Sequence, residues 1–186
     1  MKNYLIAATA AVILLSACKG KSKEKENQPI SALSIIKGQL HHLDTSLYQV
    51  TRFETENSIT DTTYIKREEI RSYAAPFLSL PDIADKNYDK KYTEDKLIDA
   101  QQQTLSITST AKTGTEDIQK QIIIVNVADP SNGKVQSIYI ERSQNAGDST
   151  IEQKLFWEID KFFSVGSIIS KENQPEKTHL TKIAWQ

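Results

Sequence analysis

Few side chains in this sequence are of the kinds that do chemistry, and their spacing narrows what that chemistry can be. The histidines are His41, His42 and His179. Neighbours on a helix point about 100° apart, so His41 and His42 do not converge on one ion. His179 stands near the start of the last predicted strand, with Glu176 and Lys177 close by. It is the best candidate for a general base, because imidazole titrates near working pH; a solvated surface position is the competing reading. The acidic run Asp82, Asp85, Asp89, Glu94, Asp95 and Asp99 lacks the alternating ligands and turn glycine of a calcium loop. Lys86, Lys90, Lys91 and Lys96 neutralise much of it, which favours a solvated, salt-bridged loop. There is no Gly-x-Ser-x-Gly elbow and no phosphate-cradling loop, and the six glycines are too scattered for a dinucleotide fingerprint. No metal or cofactor is implied. Paired carboxylates for glycoside hydrolysis would be set by separation in space, and nothing in the sequence selects a pair.

The one reactive group with an informative context is the single cysteine, Cys18. Lys2 supplies a positive charge, and Tyr4 to Leu15 is an apolar run broken only by Thr9. As a helix this run spans only about 18–21 Å, short of a bilayer core of about 30 Å. Small residues follow, as at a site where a peptidase must reach the backbone. Leu15-Ser16-Ala17-Cys18 resembles, position by position, the lipobox of the type II signal peptide of bacterial lipoproteins. The resemblance implies a diacylglyceryl thioether on Cys18, cleavage before it so that residues 1–17 are removed, and acylation, commonly with palmitate, of the new amine. Two or three acyl chains exceed the single chain that gives only marginal membrane attachment. The chain is therefore expected in the bacterial cell envelope, held to a membrane by covalent lipid.

Residues 18–29 then read as the lipidated cysteine and a disordered tether. Four lysines and two glutamates fall between residues 19 and 26, with no large apolar side chain. Such a stretch cannot offset its ordering entropy by burial. Its lysines suit either a soluble spacer or contact with anionic headgroups. The rest of the chain, 30–186, is long enough for one globular domain with a sizeable core. With Cys18 acylated no disulfide is possible, so stability must come from packing. Past the tether acidic residues outnumber basic ones, and no basic stripe is interleaved with aromatics. That excludes the electrostatic footprint of a nucleic-acid binder.

The elements that would position any site change period halfway along the domain. Ile36, Leu40, Leu43, Leu47 and Val50 recur at steps of four and three, one face of an amphipathic helix. Gly38 and Asp44-Thr45-Ser46 weaken it, and a rival reading makes Leu47–Phe53 a strand; the unbroken phase favours one helix to Phe53. Glu54 to Thr63 reads as a connection. A second helix is expected from Ile65 to Leu78, kinked or ended early at Pro76. Residues 82–100 read as a charged loop holding at most a helical turn or a short strand. Beyond them the period becomes two, with strands around Leu105, Ile122–Val127, Val135–Arg142, Ile151–Ile159, Phe162–Ile169 and Leu180–Trp185. Turn residues between them, such as Asp129-Pro130-Ser131-Asn132-Gly133 and Ala146-Gly147-Asp148, force antiparallel neighbours. The expected fold is α+β, an N-terminal helical hairpin packed on one face of a five- or six-stranded antiparallel meander.

Strand period also sorts the aromatics. Trp157 falls on one face with Leu155 and Ile159, Phe156 on the other with Glu158, and Phe162 and Phe163 oppose each other. One member of each pair belongs to the core, and its partner is either incidental exposure or part of a binding patch. The leading functional expectation is a non-enzymatic, membrane-tethered module that binds another envelope protein or a small apolar or glycan ligand. It would use the sheet face or a cleft between sheet and helices. The alternatives are an envelope hydrolase built on carboxylates or His179 in that cleft, and a structural component of an envelope assembly.

Overall fold

A computed structural model describes residues 29–186 with the exception of 57, 129–132 and 173. The leader, Cys18 and nearly all of the tether lie outside the described residues, as does most of the turn at 129–133.

Helix α1 (Ala32–Thr45) opens at Ser31, whose hydroxyl accepts from the Ser34 amide at 3.0 Å. Its stripe of Ala32, Ile36, Leu40 and Leu43 is fully buried. The helix stops where the sequence weakens. Thr45 and Ser46 turn their hydroxyls back onto the carbonyls of His42 and Leu43, and Ser46 is already extended. Leu47, next on the apolar stripe, is left 96% exposed. The expectation of one helix to Phe53 is thus overturned. Val50–Glu56 is strand β1, rich in the β-branched and aromatic types that fit a pleated surface.

β1 turns back into β2 (Ile59–Tyr64), with Ser58 at φ 69°. The expected second helix survives only in fragments: a 3₁₀ turn at Arg67–Glu69, then α2 (Ile70–Tyr73) and α3 (Ala75–Leu78). Pro76 sits in the first turn of α3, where its missing N–H breaks no hydrogen bond. The remaining strands are β3 (Tyr92–Asp99), β4 (Thr104–Ala111), β5 (Lys120–Asn126), β6 (Lys134–Ala146), β7 (Ser149–Glu158), β8 (Phe162–Lys171) and β9 (Lys177–Trp185).

The architecture is accordingly not a helical hairpin on a five- or six-stranded meander but a nine-stranded antiparallel sheet with few, short helices. Its order is β2-β1-β9-β8-β7-β6-β5-β4-β3. β3 to β9 form an uninterrupted meander, and the β1–β2 hairpin pairs alongside β9. Two outer strands account for most of the error in strand count. β2 is exposed at every position and β3 at all but Tyr92, so neither shows an apolar alternation. Edge strands are commonly polar and charged because an apolar edge invites pairing with other chains.

Every fully buried strand residue lies on one face of this sheet. There the rings of Trp157 and Phe163 stack at 4.7 Å, and Phe77 of α3 meets them edge-on at 5.3 and 5.7 Å. Leu155, Ile138, Ile140, Ile123 and Ile183 surround them, and α1 and Ile70 close the layer. Gln39 of α1 fixes the helix to the β7–β8 turn by two hydrogen bonds. Its amide donates to Asp160 Oδ1 at 3.0 Å, and its oxygen accepts from the Asp160 N–H at 2.9 Å.

Candidate functional site

The opposite face of the sheet has no fully buried side chain among the described residues, although it carries aromatics. Strand register sets its rows. One runs Phe53, Lys182, Ser164, Phe156 and Tyr139 across β1, β9, β8, β7 and β6. The next runs Thr55, Leu180, Gly166, Lys154 and Glu141 over the same strands. Phe53, Phe156, Phe162, Tyr139 and Ile168 are half-buried, with no covering element among the described residues.

Gly166 gives this surface its relief. With no side chain between Leu180 and Lys154, it leaves a hollow of about 370 Å³ bordered by Leu180, Ile168, Phe156, Tyr139 and Ser164. A Cβ at Gly166 would meet the Lys154 carbonyl at 3.6 Å and Leu180 Cδ1 at 3.7 Å, ordinary contacts. The backbone therefore does not demand glycine here. What the glycine does is keep the space open.

Charge on this face is unevenly placed. The Lys182 ammonium stands 3.9 Å from the centroid of the Phe162 ring and 6.0 Å from that of Phe53. It has no carboxylate within ion-pair distance among the described residues. Glu152, opposite Ile168 in the ladder, borders the other end of the hollow. Tyr139 donates to Glu141 at 2.7 Å. Burial first, and that carboxylate second, push the Tyr139 phenol up to about 12, so it remains a neutral donor.

Of the titratable residues singled out by sequence, only His179 borders the hollow; the others fall elsewhere. His41 and His42 are exposed on α1, and the His42 ring meets Tyr48 edge-on at 6.1 Å. Among the described residues no group of three His, Cys, Asp or Glu is placed to hold a metal. The acidic run serves turns. Asp82 accepts from Ser31 and the Ala84 amide, Asp85 from the Asn87 amide, Asp99 from the amides of Gln101 and Gln102, and Glu94 pairs with Lys96.

His179 does meet a carboxylate. Its Nε2 lies 3.5 Å from Glu54 Oε1 and 3.0 Å from Thr181 Oγ1. The pair is part of a ladder-side cluster in which Arg52 donates to the Tyr73 hydroxyl at 2.9 Å and lies 3.3 Å from Glu54. That hydroxyl contact, more than the carboxylates, holds the Arg52 guanidinium above its ordinary value. In a catalytic triad the acid orients one ring nitrogen and the other faces the nucleophile. Here one nitrogen faces both groups, and the His179 and Glu54 side chains are 40% and 37% exposed. The arrangement is that of a solvated surface contact.

Sequence reasoning set Phe156 against Trp157 and Phe162 against Phe163 on opposite faces, left open which of Phe162 and Phe163 lines the core, and missed the hollow beside them. The available signal was Gly166 inside an apolar strand, a position that marks a bulge, a close approach or, as here, a gap. No protein-family model matches the chain, and neither a curated protein nor a solved structure matches it.

Proposed function

We propose that this chain is a lipoprotein of the bacterial cell envelope, anchored through Cys18, whose folded domain is a binding module. It takes its ligand on the uncovered face of the sheet. One observation carries the reading. The aromatics of β7 and β8 alternate between a face packed under helices and a face with a hollow and, among the described residues, no covering element. Ligand sites are typically concave, mostly apolar and about 300–1,000 Å³, with a few polar groups at the margin. A hollow of about 370 Å³ beside Phe156 and Tyr139 is of that kind. The membrane setting rests on Leu15-Ser16-Ala17-Cys18 alone.

The test has two arms. Mass spectrometry of the chain recovered from membranes should find residues 1–17 removed and diacylglyceryl on Cys18; an unmodified thiol would overturn the anchoring. Hydroxyl-radical footprinting should then find Phe156, Phe162 and Tyr139 protected in native membranes relative to the isolated chain. Equal oxidation in the two settings would sink the binding face.

A further inference from the structure

The uncovered face is polarised along the strands, and that polarity selects a ligand class. At one end stand Ile168 and Leu180, with Glu152 directly across from Ile168. At the other stand Phe162 and Phe53 with the Lys182 ammonium between them, within 3.9 and 6.0 Å of their centroids. Ser164 and Gly166 lie between the two ends. From Ile168 to Phe162 the strand advances six residues, about 20 Å at 3.4 Å each. The surface between is a strip with an apolar floor, an acidic margin at one end and an unpaired ammonium at the other.

The geometry points to a single-chain anionic amphiphile, a fatty-acid-like carboxylate, as the ligand of this face. Its tail lies in the hollow over Gly166 toward Ile168, and its head lies over Ser164 against Lys182. Three features converge on that chemistry. Lys182 meets no carboxylate among the described residues, so its charge is available to an incoming anion. The Ser164 hydroxyl, in the same ladder row as Lys182, makes no hydrogen bond within the described residues and supplies a second donor. Glu152 repels an anionic head from the Ile168 end and so fixes the direction of entry. Lys154 borders the hollow and faces Glu141 across the ladder, whereas Lys182 lies just beyond the hollow, beside Ser164 at the aromatic end. At about 370 Å³ the hollow is sized for one aliphatic chain, and a two-chain phospholipid is the competing occupant.

The inference rests on the open-face reading proposed above, and the experiment separates their failures. The full chain in its own membranes is offered three photoreactive diazirine probes: lauric acid, lauryl alcohol and a phosphatidylglycerol carrying the diazirine on one acyl chain. Labelled peptides are then mapped. The acid should label the β8 and β9 peptides about tenfold more than the alcohol, the scale of one charge-assisted hydrogen bond. Lys182→Gln should bring the acid down to the alcohol's level. Gly166→Val, whose Cβ makes ordinary contacts and whose methyls enter the hollow, should abolish labelling by both while the thermal midpoint holds; if that variant does not fold, Ser164→Ala and Lys182→Gln, both half-exposed, still read the head site. Equal labelling by acid and alcohol, lost in Gly166→Val, would overturn the anionic head and leave the open face standing. Phosphatidylglycerol labelling as strong as the acid's would overturn the single-chain assignment. Labelling indifferent to Gly166→Val and spread over other strands would remove the site and the open-face reading together.

Discussion

Two neighbouring residues of β7, and two of β8, divide this molecule. Trp157 and Phe163 are completely buried, while Phe156 and Phe162, one position away in the same strands, are only half-buried. Composition is nearly the same on both sides at this point, and the backbone is shared. The difference lies in what arrives from outside the sheet. Phe77, Leu40, Ile36 and Ile70 cover one face, whereas on the other the Phe156 and Phe162 rings meet each other, Lys182 stands over Phe162, and no helix among the described residues covers them. A sheet with one covered face ordinarily places polar residues on the other. Aromatics retained there, beside a glycine gap, are the departure from that pattern on which the proposed binding face rests.

The comparison breaks most sharply at its centre. Trp157→Ala or Phe163→Ala should cost about 3–5 kcal/mol, the range for deleting a fully buried aromatic. Phe156→Ala or Phe162→Ala should cost about 1 kcal/mol or less, as expected of surface positions with partial contacts. Denaturant midpoints of the four variants measure this directly. Equal losses on the two faces would mean that something covers the second face in solution. Phe77→Ala tests the covering layer itself and should cost about 3–4 kcal/mol, because the ring is wholly buried against Trp157 and Phe163.

A smaller effect tests how the covered face is pinned. Asp160 has φ 61° and makes two hydrogen bonds with Gln39 across the helix–sheet junction. Asp160→Ala loses the side-chain bond, about 0.5–1.5 kcal/mol, and places alanine in a left-handed conformation at roughly 1–2 kcal/mol. Asp160→Gly should recover most of the second cost and none of the first. Chemical denaturation of the pair separates the two terms. A glycine variant as unstable as the alanine one would show that the conformational cost is absent.

How much of this was legible beforehand follows the same division. The covered face was readable wherever packing is dense: the stripe Ile36, Leu40, Leu43 and the alternation through Leu155 and Trp157 come from burial, which leaves a period. The edges were not. Thr93-Glu94-Asp95-Lys96 and Ile59-Thr60-Asp61-Thr62 are strands held by ladder hydrogen bonds to one neighbour, and exposed side chains carry no period. The first helix was overextended because Leu47 and Val50 happen to keep phase. The decisive local chemistry was the pair of hydroxyls at Thr45 and Ser46, which close the helix on its own carbonyls. The candidate site was half visible. That Phe156 opposes Trp157 and Phe162 opposes Phe163 followed from strand period, but the hollow depends on Leu180, Lys154 and Tyr139 arriving from three other strands, and only register brings them together.

The mildest test uses one tyrosine on each face. Tyr92, on the covered face, donates to the Ile118 carbonyl at 3.0 Å, and burial pushes its phenol up to about 12. Tyr139, on the open face, is also raised to about 12, by burial and by the carboxylate of Glu141. An unfolded tyrosine titrates near about 10. Each group therefore favours the folded state fully below pH of about 10, and that contribution is lost as pH rises through about 12. Glu141→Gln should lower the Tyr139 midpoint toward its ordinary value and leave Tyr92 where it is, so tyrosinate absorbance gains one earlier-titrating ring. A ligand over the open face should oppose that change at Tyr139 alone by excluding water from its hydroxyl. If both rings moved together, the two faces would not be electrostatically independent, and the contrast between them would have to be abandoned at this position.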